Sequence, residues 1–500
     1  MSIDPQLRRL ALSSLMLGFV GPTPPEWLLA ALADGLGGVV LFGSNLGDGR
    51  EVRRLTDSMR AAAGHEILIS LDEEGGEVTR LDTQRGSASP GAAALGQLDD
   101  PAMTEAVYAE IGWRLVEAGI DMNLAPVADV NTDPLNPVIG LRSFSCDPQV
   151  AARHVAAAVR GLQGAGVAAC VKHFPGHGAT RADSHHGVAV LDRSRAQIEA
   201  VELEPFRAAI AAGAMSIMTG HLVVPALDGL VATVSPAITT GLLRGELGFA
   251  GTIFTDALEM KAISQTIGMV EGFVQALIAG ADSIETGALD YPELLSEIPA
   301  AVQRAVTEGR LSEQRLRDAA ERTQRLTGSR RRGAPAVLTL AERALLAPAA
   351  ASASERSIEI MGELPVLERP LVVECATPAG MASGALPWSL AEPLAELLPG
   401  SEVLRVSSAP DVPAILSRSQ GRGLVVLVRD PARAEWQRPL IEATQRHPAA
   451  VIVDAGWPEQ LAVSTPVIRT RGVAPGLMAA AAAALAAPYA STTQIQETSV

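Results

Sequence analysis

From residue 15 to about residue 290, short runs of apolar, often β-branched residues alternate with longer alanine- and leucine-rich segments whose apolar positions recur at helical spacing. Eight runs read as strands: LMLGFV (15–20), GVVLFG (38–43), EILISLD (66–72), DMNLAPV (121–127), VAACVKHF (167–174), AMSIMTGH (214–221), GTIFTD (251–256) and ADSIET (281–286). Strands separated in this way by helices predict a closed (β/α)8 barrel of the TIM type rather than an open sheet. The segment GSRRRGAP (328–335) breaks the alternation with Arg, Gly and Pro. Beyond it RPLVVECA (369–376), SEVLRVS (401–407), GLVVLVRD (423–430) and AAVIVDAGWP (449–458) resume a βα pattern and predict a smaller three-layer α/β sandwich. The expected organisation is a barrel over 1–330, a linker over 331–345, an α/β domain over 346–490 and a polar, disordered tail over 491–500.

Composition narrows the partners. Hydrophobic residues make up 48% of the 500 and charged residues 19%, an ordinary globular balance. The net charge of −16 would repel phosphate backbones and anionic lipid heads, so no nucleic acid and no membrane partner is expected. No apolar run approaches the roughly 20 residues a spanning helix needs. The N-terminal LRRLALSSLMLGFVG superficially resembles a signal peptide, but Ser13 and Ser14 interrupt its apolar run and no small-x-small cleavage site follows. Cys146, Cys170 and Cys375 are few, scattered and odd in number, which supports neither a disulfide framework nor a zinc ribbon. A cytoplasmic location is the expectation, and the pattern carries no oligomeric state.

Ionisable residues gather where the apolar strands run out, the end at which barrels carry their chemistry. The densest segment is VKHFPGHGATRADSHHG (171–187), which holds four of the eight histidines with Lys172, Arg181 and Asp183. A metal cluster lacks the HExxH or HxH spacing that aims two imidazoles at one ion, so no metal or cofactor is expected. A triad of Asp183, Ser184 and His185 would need three consecutive side chains in line, and no GxSxG elbow occurs. An Asp-x-His pair is the third reading: Asp183 holds one tautomer of His185, which then shuttles a proton near neutral pH. Such a pair needs a nucleophile from elsewhere.

Asp256, at the end of the apolar run GTIFTD, is a candidate, although an Asp between strand and helix is by itself more often an N-cap. LDEEGGEVTRL (71–81) sets Asp72, Glu73, Glu74 and Arg80 around paired glycines, an arrangement that can accept sugar hydroxyls beside a sharp turn. IGLRSFSCDP (139–148) adds Arg142, although a lone arginine there is by itself more often a structural one that bonds loop carbonyls. Asp430, Asp454 and Trp457 lie near strand ends of the second domain, where isolated acids are usually caps.

Together these blocks resemble glycoside hydrolase family 3, in its β-N-acetylhexosaminidase branch. DEEGGEVTRL is similar to the family's D-Q-E-G-G-R-V-x-R block, IGLRSF to G-x-R-S-F, VKHFPGHGATRADSHH to K-H-F-P-G-H-G-x-T-x-x-D-S-H, and FTDALEM to the nucleophile block. The resemblance covers residues 1 to about 330. It implies Asp256 as nucleophile, His185 as acid/base with Asp183 as its partner, and Asp72, Arg80, Arg142, Lys172 and His173 lining the sugar subsite. Two positions depart from the pattern: Glu77 stands where arginine is common, and Leu141 where an acidic or polar residue often precedes the arginine.

The resemblance implies a retaining, exo-acting hydrolysis of terminal β-linked N-acetylglucosamine through a covalent glycosyl-enzyme. A neutral imidazole base would not repel an incoming anion as a carboxylate would, so a phosphorylase using phosphate as acceptor is the alternative chemistry. A sugar-binding protein on a degenerate barrel is the non-enzymatic alternative, and it sits badly with Asp256, Asp183 and His185 all being present. The loop 174–186, with Gly176 and Gly178, is expected to move during turnover.

Overall fold

The computed structural model describes residues 3–47, 49–182, 187–332, 348–378, 380, 382–458 and 461–497. Its contacts divide the chain into two compact units. The first comprises Met1–Glu74, Asp99–Ile139 and Ser143–Ala347; the second comprises Gly75–Leu98, Gly140–Arg142 and Pro348–Val500.

The first unit is built on eight parallel strands, one within each of the eight apolar runs: β1 (Leu15–Leu17), β2 (Gly38–Leu41), β3 (Leu68–Leu71), β4 (Met122–Asn123), β5 (Ala168–Phe174), β6 (Ser216–Thr219), β7 (Thr252–Thr255) and β8 (Ile284–Glu285). They lie in the order β7-β6-β5-β4-β3-β2-β1-β8, and a parallel bridge from Phe254 to Ser283 brings the two ends of the sheet together into the barrel. Met16, Val40, Leu68, Met122, Ala168, Cys170, Met218 and Phe254 pack against one another inside it. The paired segments are shorter than the apolar runs for local reasons. Beyond β1, a Cβ on Gly18 would stand 2.2 Å from the carbonyl oxygen of Gly287, so the chain passes there only as glycine. Beyond β4, Pro126 accepts a bond from the Lys172 amide but has no N–H to return.

Asp-Pro steps start two of the long barrel helices. Asp100 caps Pro101–Ala118 through the amide of Met103, and Asp147 caps Pro148–Gly164 through those of Gln149 and Val150. A small three-stranded sheet of Ala189–Val190, Leu222–Val224 and Asp228–Val231 was not among the expected elements. Strands of two to four residues are too short to carry a periodic signal.

The second unit contains a six-stranded sheet. Its strands β9 (Glu359–Met361), β10 (Leu371–Cys375), β11 (Glu402–Val406), β12 (Leu424–Val428), β13 (Ala450–Asp454) and β14 (Val467–Arg469) lie in the order β9-β14-β13-β12-β10-β11, with β9 the antiparallel edge. Apolar clusters cover both of its faces. The expected linker and tail are partly helical: one helix runs Glu313–Arg332, through the arginines of GSRRRGAP, and the last runs Pro475–Glu497, well into the polar end. An alanine-rich start propagates the last helix at little cost. No helix among the described residues is long and apolar enough to cross a membrane.

Candidate active site

Lys172, on β5, sends its ammonium between two carboxylates that follow β3, 2.5 Å from Asp72 Oδ1 and 2.7 Å from Glu74 Oε1. Its side chain is 3% exposed, so the ion pairs offset the desolvation of a buried cation. The DEE backbone is pinned to β4 by Asn123, whose Oδ1 accepts from the Glu73 amide at 2.9 Å and whose Nδ2 donates to the Glu73 carbonyl at 2.8 Å. Asp72 and Lys172, expected to share a sugar subsite, therefore meet, and Glu74 joins them.

The neighbouring His173 gives a second cluster that the sequence reading missed. Its Nδ1 lies 2.7 Å from Asp129 Oδ2, while Asp129 Oδ1 accepts from the backbone amides of His173 and His177, at 3.3 and 2.7 Å. Burial alone would raise the Asp129 carboxyl, but the imidazole of His173, its hydrogen bond and the nearby His177 outweigh burial and hold the carboxyl below its ordinary range. Burial depresses the imidazole of His177, against the pull of Asp129, and so favours its neutral form. Under the same loop Gly176 packs on Glu202: a Cβ at that glycine would stand 2.7 Å from the Glu202 Cβ. Burial lifts the Glu202 carboxyl to about 7, against the attraction of Arg193. The signal that could have found Asp129 is its place just after the fourth strand run, the same rule that singled out Asp256.

Asp256 follows β7 and is half-buried, its amide bonded to the Thr219 carbonyl at 3.0 Å and its Oδ1 accepting from the Ala257 amide at 2.8 Å. It caps no helix. The next helix, Lys261–Ser264, opens on Met260 without a side-chain cap. The turn is held by His221, fully buried, which bonds the Thr233 hydroxyl through Nδ1 at 2.8 Å and the Ala257 carbonyl through Nε2 at 3.0 Å. Asp256 is near enough for its charge to be felt by His177 and by Glu285 of β8, and Glu285 also feels Asp72 and Lys172.

Arg80 and Arg142 fall in the second unit, where Arg80 donates from Nη2 to the Ala382 carbonyl at 2.9 Å and Arg142 ends a short 3-10 turn. In that unit Glu77 pairs with Arg429, whose guanidinium lies 5.6 Å from the centre of the Trp388 ring. An acid where the family commonly has arginine is thus matched by a local cation. Asp430 and Asp454 accept from the Trp457 and Gly456 amides, which gives them structural work in turns. Asp183 and His185 lie outside the described residues.

Residues 26–326 match the profile described as the glycosyl hydrolase family 3 N terminal domain. The chain belongs to glycosyl hydrolase family 3. It is 40% identical over 277 residues, 54% of this chain and 81% of the relative, to a protein named beta-hexosaminidase from Stenotrophomonas maltophilia (strain R551-3). A beta-hexosaminidase A from Pseudoalteromonas piscicida is 36% identical over 281 residues, 52% of this chain and 47% of that protein. Among solved structures, a family 3 beta-N-acetylglucosaminidase from Paenibacillus sp. str. FPU-7 superposes with a TM-score of 0.86 at 33% identity, covering 96% of each chain. A beta-N-acetylhexosaminidase from Beutenbergia cavernae DSM 12333 gives 0.59 at 31% identity over 65% of this chain and all of its own. As a family 3 member the chain is a glycosidase.

Proposed function

We propose that this family 3 glycosidase is a retaining, exo-acting β-N-acetylhexosaminidase that removes terminal β-linked N-acetylglucosamine from short peptidoglycan- or chitin-derived oligosaccharides. The observation that carries the reading is Asp256: a half-buried carboxylate at a barrel strand end, capping no helix, with its turn clamped by His221. The names of the relatives support the substrate class.

In this reading Asp72, Lys172 and His173 hold ring hydroxyls. Asp256 attacks the anomeric carbon, forming a C–O bond as the bond to the departing oxygen breaks. Protonated His185, held by Asp183, gives its proton to that oxygen. Neutral His185 then takes a proton from water as water attacks the glycosyl-enzyme, which restores Asp256 and leaves the product with retained configuration. Asp129 acts one step back: it fixes the His173 ring and the amides that begin the His177 loop.

A panel of chromogenic β-glycosides, run with and without phosphate, tests this. The expected result is release from N-acetylglucosaminides with the same free sugar whether or not phosphate is present; phosphate-dependent sugar 1-phosphate would overturn hydrolysis. Mass spectrometry of enzyme trapped with a 5-fluoro-N-acetylglucosaminyl donor is expected to place the label on Asp256, and a label on another residue would overturn the mechanism. Asp129→Asn, which turns an N–H donor toward groups that need an acceptor, is expected to lower kcat/KM roughly 10- to 100-fold, the effect of losing hydrogen bonds to a charged group. Wild-type kinetics in that variant would remove Asp129 from the site.

A further inference from the structure

Two hydrogen bonds tie the backbone around Asp256 to the end of β6. The Asp256 amide donates to the carbonyl of Thr219, the last residue of that strand, at 3.0 Å, and the Ala257 carbonyl meets Nε2 of His221 at 3.0 Å. Ala257 is also the residue whose amide donates to Asp256 Oδ1 at 2.8 Å. His221 therefore holds, from the far side, the residue that orients the Asp256 carboxylate.

A carbonyl oxygen only accepts, so Nε2 of His221 carries a proton. In the neutral ring Nδ1 is then an acceptor, and the group that meets it is the Thr233 hydroxyl, at 2.8 Å. The same hydroxyl lies 3.1 Å from the Gly220 carbonyl and accepts from the Thr219 hydroxyl at 3.1 Å, so its contact with the ring is the shortest of the three. Thr219, His221 and Thr233 are all fully buried, and bulk solvent does not compete for these bonds. Thr233 reaches the ring because a short antiparallel hairpin, Leu222–Val224 with Asp228–Val231, turns the chain back and delivers the 3-10 turn Ala232–Val234 beside it.

We propose that Thr233 and His221 are positioning residues for Asp256: the Thr233 hydroxyl donates to Nδ1 and selects the tautomer whose Nε2–H holds Ala257, and Ala257 in turn aims the Asp256 carboxylate for attack. The proposal rests on the reading of Asp256 as the nucleophile. A ring in the other tautomer would set the Nε2 lone pair against the Ala257 carbonyl oxygen, two buried acceptors face to face, and the turn would shift to separate them. Neither residue touches the sugar in this scheme. Nothing in the four motif blocks marks Thr233, because its role depends on a hairpin that returns it to the strand end.

Thr233→Val keeps the shape and removes the hydroxyl; Thr233→Ser keeps the hydroxyl; His221→Leu removes the donor to Ala257. The valine variant is expected to lose roughly 5- to 30-fold in kcat with KM little changed, the effect of leaving a buried acceptor unmatched. The serine variant should stay within about threefold of wild type. His221→Leu should lose roughly 10- to 100-fold, and Thr233→Val added to it should cost no more, since both act along one chain of bonds. Labelling of Asp256 by the fluorosugar should slow in step with kcat. Thermal melts establish that the variants are folded, and the comparison of valine with serine stands on its own should His221→Leu not fold. A valine variant with wild-type kcat, a serine variant as impaired as valine, or losses that add in the double variant would each overturn the proposal. Failure of the underlying reading is separable: the fluorosugar then labels another residue in wild type, whereas failure of this inference alone leaves Asp256 labelled at the wild-type rate in Thr233→Val.

Discussion

Asp256→Ala is expected to reduce kcat on N-acetylglucosaminides by at least about 10³-fold, or roughly 4 kcal/mol of barrier, because no covalent intermediate can form without the attacking oxygen. Folding should survive. The hydrogen bond from the Ala257 amide to Oδ1 is worth about 1 kcal/mol, and His221 still clamps the Ala257 carbonyl. Steady-state kinetics beside a thermal melt check both halves of the expectation. An unaltered melt with kcat within tenfold of wild type would falsify the nucleophile assignment and, with it, the two-step mechanism.

The largest stability effect is expected at Asp282, which lies just before β8 and is fully buried. Arg315 Nη2 and Arg322 Nη1 reach its Oδ1 at 2.7 and 3.3 Å, Arg244 pairs with Oδ2, and the Ile253 amide donates to Oδ2 at 3.0 Å. A single carboxylate thus ties the final barrel helix and the segment before β7 to the start of β8. Asp282→Ala leaves three arginines crowded without their counter-ion. Removing one partner of a buried charge group typically costs about 3–5 kcal/mol, so the melting temperature should fall by roughly 6–15 °C. Calorimetry on purified protein measures this, and a shift under about 2 °C would mean that the arginines find other partners.

The strands were legible because each is a short apolar run buried on both faces, and such a run announces itself without reference to any partner. Site residues beside a strand end were legible for the same reason: Asp72, Lys172, His173 and Asp256 each follow or end such a run. Asp129 and His221 obey the rule too, but their importance comes from their partners. The ring of His173 finds Asp129 across 44 positions of sequence, and His221 finds the Ala257 carbonyl across 36. Periodicity holds no record of such pairings.

The sequence by itself determined the alternation of strands and helices, the family blocks and the chemical types gathered at the strand ends, since all of these are local patterns in residue order. Only the tertiary structure decided whether Asp256 caps a helix, that Lys172 is held by Glu74 as well as by Asp72, and that Glu285 is buried at the end of β8. Those outcomes depend on closing the sheet, which brings β8 beside β1 and β7 and fixes which side chains share the barrel interior. The physical reason is burial: an acid's charge, reach and partners follow from what surrounds it, and its surroundings do not exist until the strands have met.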